Sequence, residues 1–418
     1  MRQTSEIVIT GMGVVSPIGI GTRAVWESLL ANRSGVRFRP GMEQVQEPWA
    51  MAGSVEDFDG KAHIAKKSLK VMCREIQMGF AAAAMAIEDA KLSPGLVAPP
   101  RIATVFASEA FYANPADLVP AFRQCITLGN DVSSWGQVAP REIEPLWMLK
   151  YLPNMAASHI SILLDAQGPS NTVVLGDNSS LPAMIEGIEL LQRGWADVVV
   201  VGATSSQLNP TATVYRDRLR MANWTSDPTL AVRPFEANRG GTVFGEGAAA
   251  FIVETLASAQ ARGAPILARV LGSNRAWGKP EQSSARLARS VQDTLERSGV
   301  CADEVGHINA NGTGVLAEDR LEAQGLASVL PYCPVFAAKS YFGLLGPATG
   351  AVELVCSLLA IRQGILPATL NYETPDPDCP VRVAAVNSPL GSTLALVTNQ
   401  APAGQIATLL IEGATTSE

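Results

Sequence analysis

The residue best placed for chemistry in this sequence is Asp177, in the turn Gly-Asp-Asn-Ser-Ser at residues 176–180. Residues 172–175, Thr-Val-Val-Leu, predict a short buried strand, and residues 181–193 carry apolar side chains at helical spacing. The turn therefore lies at a helix N-terminus, where unpaired backbone N–H groups and the helix dipole stabilise negative charge. We expect an ionised carboxylate that accepts backbone hydrogen bonds, or one that only caps the helix.

The elements on either side must hold this turn in place. Residues 195–202 follow the helix and include four consecutive valines, which is typical of a strand buried on both faces. Residues 172–202 therefore predict a βαβ unit. In each half of the chain a strand is followed by a helix, a strand, a buried helix and a pair of strands. In the second half this series starts near residue 266.

The composition indicates a large, core-rich α/β protein. The 418 residues are 47% hydrophobic and carry a net charge of −7, which argues against a nucleic-acid surface. No window of 18 residues is continuously apolar, so no membrane span is predicted, and residues 1–20 lack a signal-peptide pattern. We expect a cytoplasmic protein. The Gly-Met-Gly at residues 11–13 lacks the third glycine of a dinucleotide site, and we expect neither a cofactor nor a metal.

Four short motifs occur in one order along the chain. Residues 9–19 are Ile-Thr-Gly-Met-Gly-Val-Val-Ser-Pro-Ile-Gly, residues 168–170 are Gly-Pro-Ser, residues 179–181 are Ser-Ser-Leu, and residues 194–197 are Gly-Trp-Ala-Asp. Together they resemble the β-ketoacyl synthases, which carry Gly-Pro-Ser, a strand, Ala-Cys-Ser-Ser-Ser-Leu, a helix and then Gly-x-Ala-Asp. The resemblance spans roughly residues 5–412.

The resemblance implies the fold. β-Ketoacyl synthases have a thiolase-like α/β fold, in which two pseudo-repeated halves pack as a five-layer αβαβα sandwich. Applied to this chain, it predicts an N-terminal half at residues 1–256 and a C-terminal half at residues 257–418.

The resemblance also locates three catalytic positions, and none carries the family's residue. The nucleophilic cysteine of the family falls on Asp177. The histidine of its Asn-Ala-His-Gly-Thr motif falls on Asn311, and the histidine of Lys-Ser-x-x-Gly-His-Leu-x-Gly is missing, with Leu344 nearest to it. We interpret the three histidines of the chain as structural or surface residues: His63, His159 and His307.

Supporting positions are retained in part. Lys339, Asp319 and Glu322 match family residues, and we expect an ion pair between Lys339 and Glu322 that holds Asn311. The family's C-terminal glycine loop is aligned with residues 387–394. The pocket and gate positions implied by this alignment are Leu390, Gly391 and Phe342.

The loss of the family's catalytic residues suggests a non-condensing subunit. Some relatives without the cysteine, the chain-length factors, form heterodimers with an active ketosynthase in fatty acid or polyketide biosynthesis. We therefore expect an active paralogue and an acyl carrier protein as partners, with contacts through strand 172–175 and segment 110–150. Two alternatives remain open: an acyl-thioester enzyme in which Asp177 acts as base or nucleophile, and a homodimeric acyl or carrier-protein binding module.

Overall fold

The structure is a computed structural model that describes residues 6–109, 112–129, 132–215 and 218–414. The ends of the two predicted halves, residues 1–5 and 415–418, lie outside the described residues. So do residues 110–111 and 130–131 of the predicted contact segment. Of the helices in the described ranges, none has the length and apolar character needed to cross a bilayer.

Sixteen strands are found within the described ranges, and most of them belong to one large sheet. In chain order they are β1 (Ile7–Ser16), β2 (Gly19–Ile20), β3 (Val36–Phe38), β4 (Met51–Gly53), β5 (Ile102–Ala107), β6 (Ser170–Val173), β7 (Val198–Ser206), β8 (Glu246–Thr255), β9 (Ala268–Trp277), β10 (His307–Asn309), β11 (Pro334–Phe336), β12 (Ile365–Leu366), β13 (Arg382–Val383), β14 (Ser388–Pro389), β15 (Leu394–Gln400) and β16 (Gln405–Gly413).

Thirteen α-helices are found in the same described ranges. They are α1 (Thr22–Leu30), α2 (Lys66–Leu69), α3 (Arg74–Asp89), α4 (Pro115–Thr127), α5 (Trp135–Glu142), α6 (Met155–Leu164), α7 (Ser180–Gln192), α8 (Pro210–Tyr215), α9 (Leu256–Ala261), α10 (Ser283–Ser298), α11 (Leu316–Ala327), α12 (Lys339–Phe342) and α13 (Thr349–Gln363).

The first half is built around a sheet with strand order β1-β8-β7-β5-β6. β5 is parallel to both β6 and β7, and β8 is antiparallel to β7 and β1. The four valines of β7 are fully or almost fully buried, because helices cover both faces of this strand. α3 and α6 pack on one face of the sheet, and α7 packs on the other.

The second half repeats this order as β9-β16-β15-β10-β11, with the same parallel and antiparallel pairs. α10 and α11 form its outer layer, and α13 lies inside beside α7. A short pairing between β1 and β9 joins the two sheets. The layers therefore run α3/α6, sheet, α7/α13, sheet, α10/α11, which confirms the predicted αβαβα sandwich of two pseudo-repeats. The boundary between residues 256 and 257 stays a prediction.

The two halves differ at their outer sheet edges. In the second half β13, only two residues long, pairs with β11. In the first half β6 has no further strand beside it among the described residues, and its first two residues are exposed. The strand predicted at residues 172–175 is therefore shifted to Ser170–Val173, and its prediction as a buried strand is wrong. Val174 and Leu175 follow it, and their side chains are 50% and 41% exposed.

Candidate functional site

Ser179 ties together the turn that carries Asp177. Gly176 adopts a positive φ of 61° in this turn, a conformation that favours glycine. Ser179 Oγ accepts the N–H of Leu175 at 2.8 Å and donates to the carbonyl of Gly176 at 2.6 Å. α7 begins at the next residue and has no side-chain cap hydrogen bond. Asp177 therefore does not cap the helix.

The Asp177 carboxylate is bound by an arginine. Its Oδ2 lies 3.0 Å from Arg220 Nη1, and Arg220 Nε lies 2.8 Å from Glu318 Oε1. The predicted backbone hydrogen bonds to Asp177 are thus replaced by a guanidinium contact. Burial alone would lower the pKa of Arg220, but the two carboxylates raise it above its usual value. Arg220 consequently links the first half, through Asp177, to the second half, through Glu318.

Asn311 lies at the end of β10 in a fully buried polar cluster. Its Oδ1 accepts a hydrogen bond from Lys339 Nζ at 3.0 Å, and its backbone carbonyl accepts another from the same ammonium. Lys339 Nζ also lies 2.6 Å from Glu353 Oε1, and both side chains are inaccessible to solvent. The predicted pairing of Lys339 with Glu322 is therefore wrong. The ion pair that holds Asn311 uses Glu353, four residues into α13.

Glu322 and Asp319 hold the loop that follows Asn311. The two carboxylate oxygens of Glu322 accept the N–H groups of Asn311 and Gly312, each at 2.7 Å. Asp319 Oδ1 accepts the N–H of Thr313 at 2.8 Å. Both acids project from α11, which packs behind this loop. They fix the backbone around Asn311, which is the supporting role that the sequence predicts, by hydrogen bonds rather than by a pair with Lys339.

Leu344 and Phe342 are buried and carry no ionisable group. Leu344 donates its N–H to the carbonyl of Val243 at 2.8 Å, and its own carbonyl accepts the N–H of Gly245 at 2.9 Å. Gly343, between them, has a φ of 77°. The position nearest the family's second histidine is thus an apolar side chain on a segment that is hydrogen-bonded to the first half.

The gate prediction for Leu390 and Gly391 is wrong. The N–H of Leu390 donates to the carbonyl of Gly364, at the C-terminal end of α13. Glu353 lies near the other end, so about ten residues at 1.5 Å each, or roughly 15 Å of helix, separate the two.

The segment beside Asn311 is the turn between β15 and β16. Gln400 N lies 3.4 Å from Asn311 Oδ1. Residues 400–402 and Gly404 line a cavity of about 60 Å³, together with Asn311 and Glu318. Trp277 Nε1 donates to the carbonyl of Ala403 at 3.1 Å and braces this turn.

Sequence reasoning missed two charged residues of the site. Glu353 had a signal, because it is a carboxylate within a helix that is otherwise apolar. No signal in the sequence indicated Arg220, because it lies in a connecting segment 43 positions away from Asp177. The turn at residues 400–404 could have been found from the predicted terminal hairpin, whose loop it forms.

The arrangement of the two halves identifies the class of protein. Two pseudo-repeated halves place the N-termini of α7 and α13 side by side, and the connecting segments that precede them carry Asp177 and Lys339. This is the architecture of the thiolase-fold condensing enzymes, in which the nucleophile turn precedes the inner helix of the first half.

Comparison with known proteins identifies the family. The chain matches the models of the β-ketoacyl synthase N-terminal domain over residues 4–259 and of the β-ketoacyl synthase C-terminal domain over residues 266–373. The chain belongs to the β-ketoacyl synthase family of fatty acid and polyketide biosynthesis.

Individual relatives cover almost the whole chain. A 3-oxoacyl-[acyl-carrier-protein] synthase 2 of Staphylococcus aureus is 30% identical over 91% of both chains. The ketoacyl synthase alpha subunit of the tetracenomycin polyketide synthase of Streptomyces glaucescens is 32% identical over 90% of this chain and 89% of its own. The solved structure of the ishigamide ketosynthase/chain length factor matches with a TM-score of 0.84 and 26% identity, over 99% of this chain and 100% of that one.

Proposed function

We propose that this protein is a non-condensing, chain-length-factor-like partner of an active ketosynthase. The observation that carries the proposal is that the family's three catalytic positions have no nucleophilic thiolate and no imidazole. Asp177 is ion-paired with Arg220, the Asn311 amide is bound by Lys339, and Leu344 is buried. A condensing site needs a free nucleophile and donors that act together.

The contacts of Asp177 argue against a catalytic role for it. Asp177 Oδ2 accepts a hydrogen bond from the Arg220 guanidinium at 3.0 Å, so this oxygen is not free to attack a thioester. Asp177 and Arg220 are about one-sixth exposed, so the pair is only partly screened by water. Their position fills the place that an acylated cysteine takes in the active relatives, and this supports a structural role for the turn.

The open edge of β6 supports association with a second subunit of the same fold. An unpaired edge strand presents free backbone groups to another strand. Exposed apolar side chains lie next to it in sequence and in the predicted contact segment: Val174, Leu175, Phe122, Ile126, Leu128, Leu146 and Met148. Exposed apolar side chains of this kind are typical of interfaces where they lie together on the surface. A paralogue and a second copy of this chain could both use it.

A basic surface supports a carrier protein as a further partner. Lys61, Lys66, Lys67 and Lys70 are all exposed on or near α2, although the whole chain has a net charge of −7. Such a local patch would attract an acidic protein.

Co-expression tests the proposal. The chain is produced alone and together with a paralogue from the same genome that retains cysteine and both histidines, and the masses of the complexes are measured under native conditions. We expect a heterodimer, and malonyl-dependent condensation only when the paralogue is present. Condensation by the isolated chain, or failure to associate with any intact paralogue, would refute the proposal.

A further inference from the structure

We propose that a second site, centred on Arg39, binds a linear alkyl chain that carries an anionic head group. Arg39 follows β3 and forms part of the wall of three adjoining cavities. The two larger cavities have volumes of about 610 and 460 Å³, within the range of small-molecule sites. The residues involved differ from those around Asp177, so the proposal does not depend on the function proposed above.

The Arg39 guanidinium has unused donors. Its Nη2 donates to the carbonyl of Leu208 at 2.9 Å, and within the described ranges no carboxylate oxygen lies within 4.0 Å of it. The nearest acid that acts on it is Glu246, which is already bound by Arg74 at 2.7 Å and by Ser206 at 2.9 Å. A half-buried guanidinium with five N–H donors and one acceptor can bind a carboxylate or phosphate.

The larger cavity can hold the anionic head group. Lys70 lies on its rim, and Lys150 contributes a further positive charge that Asp117 offsets at 3.3 Å. Ser54 Oγ is buried in its wall and has no hydrogen-bond partner in the described structure. Glu75 also lines this cavity, and burial raises the pKa of its carboxyl, which lessens its repulsion of an anion.

The second large cavity can hold the alkyl chain. It shares Arg39 and Pro210 with the first, and its other walls are Met42, Trp49, Val214 and Met221 together with Thr213 and Arg218. The charge of Arg218 is offset by Glu47 at 3.0 Å. Mostly apolar walls on one side of Arg39 and polar walls on the other match a molecule with a hydrocarbon tail and a charged head. Fatty carboxylates and alkyl phosphates share this chemistry.

Calorimetric titration of the full chain tests the assignment with four probes: decanoate, decyl phosphate, decanol and inorganic phosphate. We expect decanoate or decyl phosphate to bind at least tenfold more tightly than decanol, and inorganic phosphate to bind more weakly than either amphiphilic anion. Whichever anion binds more tightly identifies the head group. Affinity should rise roughly fourfold for each methylene added from hexanoate to decanoate. Equal binding of decanol and decanoate would overturn the proposal.

Three variants test whether the ligand binds at Arg39 and in the cavity beside it. Arg39→Gln should weaken decanoate binding at least tenfold and leave decanol binding unchanged. Arg37→Gln is the matched control, because Arg37 is exposed on the neighbouring strand β3, and it should bind as the wild type does. Val214→Asp should also weaken decanoate binding, and it cannot disturb the core because Val214 is 80% exposed. Unchanged binding in Val214→Asp, or in a folded Arg39→Gln, would show that the ligand binds elsewhere or not at all.

Discussion

The two inner helices, α7 and α13, are preceded by turns that occupy equivalent places in the two halves, yet the turns are stabilised differently. The turn before α7 is short, and its Asp177 forms a partly exposed ion pair with Arg220. The connection before α13 is longer, contains α12, and places Lys339 in an ion pair with Glu353 from which solvent is excluded. We therefore expect the ion pair before α13 to contribute more to stability than the pair before α7.

The largest effect should come from the buried pair. Lys339→Met leaves Glu353 and the Asn311 amide without their ammonium, and we expect a loss of ~3–5 kcal/mol in the free energy of unfolding. Urea denaturation measures it. The double variant Lys339→Met/Glu353→Gln should recover part of the loss, because no unpaired charge remains. A loss below ~1 kcal/mol in the single variant would show that the buried ion pair contributes no more to stability than the partly exposed pair does.

His307, which lies in the buried region of the second half, should make the free energy of unfolding depend on pH. His307 on β10 is fully buried with Nε2 3.1 Å from Ser357 Oγ, and burial lowers its pKa to about 4. The unfolded chain, with a histidine pKa near ~6.5, then binds more protons than the folded one between these values. Through His307 alone, the free energy of unfolding should fall by ~3 kcal/mol as the pH drops from about 6.5 to 4. The buried carboxyls of Asp319 and Glu353, whose pKa values burial raises to about 7, act in the opposite direction over this range.

His307→Gln provides the matched comparison for that titration. The variant lacks the imidazole, so its unfolding free energy should decline less over the same interval when both proteins are followed by urea denaturation at each pH. Parallel curves for the two proteins would mean that other groups control the acid response.

A smaller effect is expected at the partly exposed pair. Arg220→Gln leaves two carboxylates, Asp177 and Glu318, near each other without a cation, and we expect a loss of ~1–2 kcal/mol. Because the pair is partly exposed, the loss should shrink in high salt. Thermal unfolding at two ionic strengths measures both points. A loss as large as that of Lys339→Met would show that the two ion pairs contribute equally to stability.

The smallest effect on stability should come from Asp177 itself. Asp177→Asn keeps a hydrogen-bond acceptor for Arg220, so we expect a change below ~1 kcal/mol. Asp177→Cys should likewise fold, but it should not condense malonyl thioesters, since catalytic groups that act as a unit are not restored one at a time. Measurable condensation by that variant would mean that Asn311 and Leu344 do not prevent the reaction.

The fold could be predicted from the sequence because its signals are local. The valines of β7 and the apolar spacing of α7 specify buried elements by short-range pattern, and the motifs place them in family order. Boundaries were less accurate. The helical spacing of apolar residues extends from Leu69 to Ile87, but Cys73 has an extended backbone (φ −69°, ψ 172°) and α3 begins only after it.

The sequence predicts where the site lies, but it does not predict which residues contact each other there. Asp177 and Asn311 follow from motif spacing, whereas the partners Arg220 and Glu353 depend on which distant segments meet in three dimensions. The error at Leu390 has a different cause. Residues 387–394 match the glycine loop in letters, but the strand order places the turn of residues 400–404 at the site, and only the topology distinguishes the two.

The unequal sheet edges limit how many chains can join. Pairing at β6 would extend the sheet of the first half across a two-fold axis, and that contact would use the four-residue open edge that β6 gives the large sheet in the described structure. At the far end β13 covers β11, and its two residues are too short to serve as a template for another strand. Growth by strand addition at β6 would therefore stop after one step and would give closed pairs rather than fibres.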